Sequence, residues 1–231
     1  MFDKIKEILR RIKESRIKGL LNINMIKNII LFSGGIIVFI FGVIVYGVIL
    51  NLREPSLSEA MALKGFKELN NTHIIIERRS YTLRLYEDSV LIKTYKASFG
   101  RNINNPKLLK GDNATPVGEY IICNIDTVHK YYKYLRLNYP NLVDATEALR
   151  KGIISQKEFD ELKFQFYYED CPGSHTPIGG GIGIHGIGEY NSIFKNLPFV
   201  FNWTEGSIAV TNENIDEIYS VVKKGTKVVI K

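Results

Sequence analysis

Hydrophobic positions along the chain follow three different rhythms. Residues 29–50 form an unbroken run of 22 uncharged residues, IILFSGGIIVFIFGVIVYGVIL. As a helix rising about 1.5 Å per residue, the run can cross a hydrocarbon core of about 30 Å. A cleaved leader has a shorter apolar region with a small-residue cleavage site directly behind it. Here Ser58-Glu59-Ala60 lies well past the end of the run, so the segment reads as a retained transmembrane anchor. Residues 51–72 form a linker, in which SLSEAMALKGFKELN predicts a short helix with Leu57, Met61 and Leu69 on one face.

From residue 73 the period becomes two. Residues 73–77, 82–86, 90–99 and 117–123 read as strands, with Glu87-Asp88-Ser89 as a turn. Residues 141–168 change to helical spacing. Asp144 to Glu147 resembles a capping box with Asp144 as the cap, and Ser155 to Glu158 is a second box. The pattern predicts helices over 144–151 and 156–167, joined as a hairpin inserted into a β domain beside the candidate site. Residues 177–187, PIGGGIGIHGI, are dense in glycine, but no GK[ST] follows to make a phosphate loop. A helix over 212–222 and a strand over 227–230 close the chain. The expected fold is mainly β, with strands from 73–123, 182–186, 207–210 and 227–230 meeting in one sandwich or barrel.

Charge sharpens the topology. The net charge is +7, but residues 1–28 hold eight Lys/Arg against three acids, which is +5, leaving +2 for the rest. Too little excess remains on the folded part for a nucleic-acid face. The positive-inside rule places the basic tail 1–28 in the cytoplasm and 51–231 outside it. Ile5, Ile8, Leu9 and Ile12, then Ile17, Leu20 and Leu21, fall near helical spacing, so the tail reads either as an amphipathic helix on the inner leaflet or as a solvated basic segment. Cys123 and Cys171 lie in the exported part and are candidates for a disulfide. No CxxC or His/Cys cluster suggests a metal.

Candidate chemistry is sparse. Of four histidines, His73 and His129 have no catalytic neighbours in sequence, and His175 lies in CPGSHTP. His185 ends an apolar strand and precedes Gly186. Downstream, Asn202-Trp-Thr-Glu-Gly-Ser207-Ile-Ala-Val-Thr-Asn212 forms a tight bend that can project Ser207 while offering backbone N–H groups as an oxyanion hole.

Taken in order, Lys110-Gly111-Asp112-Asn-Ala-Thr115-Pro116-Val-Gly118-Glu-Tyr120, Ile184-His185-Gly186 and Thr204-Glu-Gly206-Ser207-Ile208 resemble the L,D-transpeptidase (YkuD) catalytic domain over residues 73–231. That resemblance implies a domain acting on peptidoglycan stem peptides by acyl transfer at an L-D amide, without a cofactor. His185 matches the general base. Gly186, Thr204, Gly206 and Ile208 match the oxyanion and substrate-positioning turn. The family's nucleophilic cysteine is Ser207 here, and a common arginine two residues on is Ala209. Serine leaves three readings: a slower nucleophile, an engineered trap, or a peptidoglycan-binding or scaffolding homologue without turnover.

Overall fold

The computed structural model describes residues 4–7, 10, 23–52, 54–169, 171–173, 176–197 and 200–231. Most of the basic tail, together with Arg53 and His175, lies outside the described residues, and so does the amphipathic-tail reading.

Helix α1 spans Ile23–Leu52, 30 residues with a mean hydropathy of 2.7 in its most apolar window. It is long and apolar enough to cross a membrane. That window is not buried against the protein at all, so the apolar surface needs a cover other than the domain. Helix α2, Leu57–Leu63, starts at a Ser56–Glu59 capping box. It buries Leu57 and Ala60, and the Leu57 amide donates to Glu217 at 2.9 Å. The linker is therefore folded onto the domain through this helix.

Strands β1 (Thr72–Glu77), β2 (Thr82–Glu87) and β3 (Val90–Lys96) form an antiparallel meander. Their alternation is strict where it matters: Ile74, Ile76, Leu83 and Leu85 have no exposed surface. β4 (Gly118–His129) and β5 (Tyr132–Leu137) make a long hairpin, β6 (Gly183–His185) and β7 (Ile208–Ala209) are short, and β8 is Lys227–Ile230. The eight strands form one mixed sheet, β3-β2-β1-β8-β4-β5-β6-β7, with β1–β8 and β6–β7 parallel. Ser98, just beyond β3, bridges Ala209 of β7. The two ends of the sheet therefore meet, as a barrel requires.

Helices α3 (Leu142–Arg150) and α4 (Gln156–Tyr168) form the inserted hairpin. The cap of α3 is Asn141, with Asp144 as its reciprocal partner three residues on, so Asp144 is not the cap that the sequence pattern suggested. The α4 box at Ser155 and Glu158 forms as expected. The hairpin has its own small core of Ala145, Ala148, Ile154, Leu162 and Ile178. A short 3₁₀ turn leads into α5 (Asn191–Phe194), and α6 (Asn212–Val221) begins at the cap Thr211. Six α-helices are present among the described residues. Cys123 on β4 and Cys171 form a disulfide across 48 residues.

Candidate active site

β6 and β7 lie side by side in parallel, with Ile184 opposite Ile208 and His185 opposite Ala209. This register brings His185 and Ser207 to one cleft of about 490 Å³. The β4–β5 hairpin walls it with His129, Tyr131 and Tyr134, and the glycine-rich segment contributes Gly179 to Ile182. Among the described residues the helical hairpin, expected beside the site, does not line it.

His185 is 2% exposed. Its Nδ1 lies 2.6 Å from the Gly186 carbonyl oxygen. A carbonyl only accepts, so Nδ1 carries the proton and the Nε2 lone pair is available. The Tyr131 ring stacks on the imidazole at 4.7 Å, and Trp203 meets it edge-on at 5.9 Å. Burial pulls the imidazole pKa down to about 4; the Gly186 carbonyl opposes this, and His129 and Lys130 add to it. The ring is neutral at neutral pH, the state in which it can take a proton.

The turn carrying Ser207 is clamped by Thr204. Its buried hydroxyl donates to the Ser207 carbonyl at 2.6 Å and accepts from the Gly206 amide at 3.2 Å. Gly206 has φ +127, and a Cβ there would meet the Ala114 carbonyl oxygen at 2.8 Å. Glycine is required on both counts. The Ser207 hydroxyl accepts from the Gly183 amide at 3.3 Å. Tyr134 donates to the Gly181 carbonyl, and its pKa is raised by burial, with the adjacent Ser207 hydroxyl opposing that shift. Among the described residues no hydrogen bond joins Ser207 to the imidazole. The Ile208 side chain points into the main core with no exposed surface. Gly186 gives its amide to the Lys133 carbonyl at 3.3 Å, and its own carbonyl faces the imidazole.

The motif upstream frames the same cleft. Asp112 accepts from the amides of Leu108, Leu109 and Ala114 and pairs with Lys107 at 2.7 Å. Thr115 accepts from the Gly100 amide at 2.9 Å. Three separated stretches of sequence thus converge on His185 and Ser207.

The L,D-transpeptidase catalytic-domain model, YkuD, matches residues 71–230. The chain belongs to this family. No curated protein matches it. Among solved structures, the YkuD domain here is similar to the helical cell shape determining protein Pgp2 from Campylobacter jejuni, at 21% identity, covering 76% of this chain and 55% of that one, with a TM-score of 0.45. It is also similar to Bd1075 of Bdellovibrio bacteriovorus, at 19% identity, with coverages of 71% and 48% and a TM-score of 0.44. An L,D-transpeptidase from Xylanimonas cellulosilytica is 13% identical, with coverages of 77% and 70% and a TM-score of 0.41. The chain spans about half the length of the first two.

Other residues complete and support this YkuD cleft. Tyr134 lies opposite His185 because β5 pairs with β6, and Tyr131 stacks on the imidazole from the turn between β4 and β5. His129, which has no suggestive neighbours in sequence, stacks on Tyr134 at 4.6 Å. Asn212 accepts from the Ile187 and Gly188 amides at 3.0 and 2.9 Å and donates to the Gly188 carbonyl at 3.0 Å, fixing the segment after His185. Arg101, Lys107, Lys110 and Lys130 also line the cleft, against Glu205 as its one acidic lining residue among those described.

Proposed function

We propose that the domain binds peptidoglycan stem peptides in this cleft and transfers their acyl group at an L-D amide, with Ser207 as nucleophile and His185 as base. The observation that carries this reading is the parallel β6–β7 pair, which sets a neutral, Nδ1-protonated imidazole and a half-buried hydroxyl in one cleft. In the reaction, Nε2 takes the Ser207 proton as Oγ attacks the amide carbon. The oxyanion is received by the backbone turn at Gly206 and Ser207, with the Ser207 N–H as donor, since the Gly206 N–H is given to Thr204. The imidazolium then protonates the leaving D-amino acid nitrogen. An ester remains on Ser207, and an amine or water removes the acyl group.

A second reading, binding without turnover, is favoured by a specific contact: the Ser207 hydroxyl is held by the Gly183 amide and not by the imidazole. Release of D-alanine from a tetrapeptide stem separates the two. Turnover by the wild-type chain that is lost in Ser207→Ala and His185→Ala supports catalysis. Binding without release, together with gain of release in Ser207→Cys, supports a recognition protein that has lost its thiol.

For the whole chain we propose a single-pass arrangement, with 1–28 cytoplasmic, 29–50 spanning and the 73–231 domain outside. The charge asymmetry and the Cys123–Cys171 disulfide, which suits an oxidising compartment, support it. Protease added outside cells or spheroplasts should digest the domain; its protection would reverse the topology.

A further inference from the structure

Beyond Trp203, on the far side from the cleft, a second cavity opens where the anchor meets the domain. Trp203 lines both. One polar contact fixes the end of α1 here, and a second lies just past it. Asn51 Nδ2 donates to the Lys195 carbonyl at 3.2 Å, and Glu54 pairs with Lys96 at 3.3 Å. The aromatic rings beside these contacts pack on each other yet stay open. Phe194 meets Tyr190 at 6.0 Å and Phe201 at 5.3 Å. Tyr190 is 59% exposed, Phe201 41%, and Leu52 at the end of α1 81%.

The position of α1 says what covers them. The uncharged run 29–50 is about 33 Å long as a helix, which matches a hydrocarbon core of about 30 Å. With that run in the bilayer, Asn51 stands at the edge of the core. Lys195 is hydrogen-bonded to Asn51, so the neighbouring rings lie at headgroup depth. Aromatic rings are enriched at that depth, where one side is apolar and the other wet. We propose that the shelf around Tyr190, Phe194 and Phe201 docks on the headgroup layer of the leaflet from which α1 emerges. Through Trp203 it then holds the cleft at the bilayer face. The inference rests on α1 being a span and is independent of the chemistry assigned to Ser207.

The test uses the full chain in vesicles of phosphatidylcholine and phosphatidylglycerol. Both native cysteines are held in the disulfide, so an introduced cysteine is the sole thiol for a fluorophore. Labels at Tyr190→Cys and Phe201→Cys report the shelf, and Ile37→Cys reports the span. Val143→Cys, exposed on α3 and lining neither the shelf cavity nor the cleft, reports the rest of the domain. Spin-labelled lipids with shallow or deep quenchers are then added. Both shelf labels should be quenched roughly twofold or more by shallow quenchers and less by deep ones; Ile37→Cys should show the reverse order, and Val143→Cys no quenching. Unquenched shelf labels beside a quenched Ile37→Cys label overturn docking with the span intact. Energy transfer between copies at the shelf overturns it in favour of a dimer. An unquenched Ile37→Cys label removes the span and the proposal together. A wild-type melting curve confirms the fold of each labelled chain, and one unquenched shelf label in a folded chain is enough to overturn docking.

Discussion

Replacing Asn212 by alanine removes three hydrogen bonds at once, two to the Ile187 and Gly188 amides and one to the Gly188 carbonyl. These bonds hold the segment that carries the Gly186 carbonyl to the imidazole of His185. The fit is tight: a Cβ at Gly186 would lie 2.6 Å from Asn212 Oδ1. At about 1 kcal/mol net per neutral hydrogen bond, the loss is about 3 kcal/mol. The site is half-buried, so water recovers a part and about 2 kcal/mol is the lower bound. For a domain of this size each kcal/mol lowers Tm by roughly 2–4 °C, which gives a drop of roughly 4–12 °C. Asn212→Asp keeps the acceptor oxygen in the first turn of α6, where negative charge is favourable, but sets a carboxylate oxygen against the Gly188 carbonyl in place of the donor, so it should recover a part of the loss. Thermal unfolding followed by near-UV circular dichroism measures both variants. An alanine variant within about 1 °C of wild type, or an aspartate variant as unstable as alanine, would refute the assignment of Asn212 as the clamp.

Three further outcomes follow from the same geometry. His185 has a folded-state pKa near 4 against an ordinary value of 6.5, so the unfolded chain binds the extra proton between them. Stability is complete above pH 6.5 and declines as pH falls toward 4. His185→Gln should remove a decline on the order of 3 kcal/mol, read as the difference between variant and wild-type melts. That difference cancels the opposite trend of Asp144, whose buried carboxyl is pushed up to about 6. Gly206→Ala should cost roughly 1–3 kcal/mol from its backbone conformation alone. Contact with the Ala114 carbonyl adds to this, and peptide binding should fall further than a denaturation curve accounts for. Replacing Cys123 and Cys171 by alanine opens a link across 48 residues and should cost about 4 kcal/mol on the chain-entropy account. Melting with and without reductant checks it, and equal curves would show that the link contributes nothing.

The parts of the fold that announce themselves in sequence are those with a long, uniform period. The anchor does so by lacking charge, and β1 to β3 by strict alternation around Ile74, Ile76, Leu83 and Leu85. The hairpin β4–β5 is less legible. β4 runs on to His129, and Tyr132–Leu137 pairs with it, but Lys133 falls on the face of the buried Leu135 and Leu137 while Tyr132, Tyr134 and Arg136 share the other, which dilutes the contrast. β6 and β7 have three and two residues, too few to show a period, and they are placed by motif instead. At α3, Asn141 and Asp144 are both competent caps, and only the hydrogen bonds decide that Asn141 caps while Asp144 returns the bond. His185 and Ser207 are legible as motif residues. Tyr134 comes opposite His185 through the pairing of β5 with β6, which a linear pattern does not encode.

Intact-protein mass measurement decides whether Ser207 and His185 form one acyl-transfer site. The full chain is incubated with a stem tetrapeptide and quenched in acid, and the modified residue is mapped by fragmentation. A tripeptidyl ester should form on Ser207 with loss of D-alanine, and it should be absent from both Ser207→Ala and His185→Ala. An unmodified Ser207 in a chain saturated with bound peptide would contradict it and assign the cleft to recognition alone.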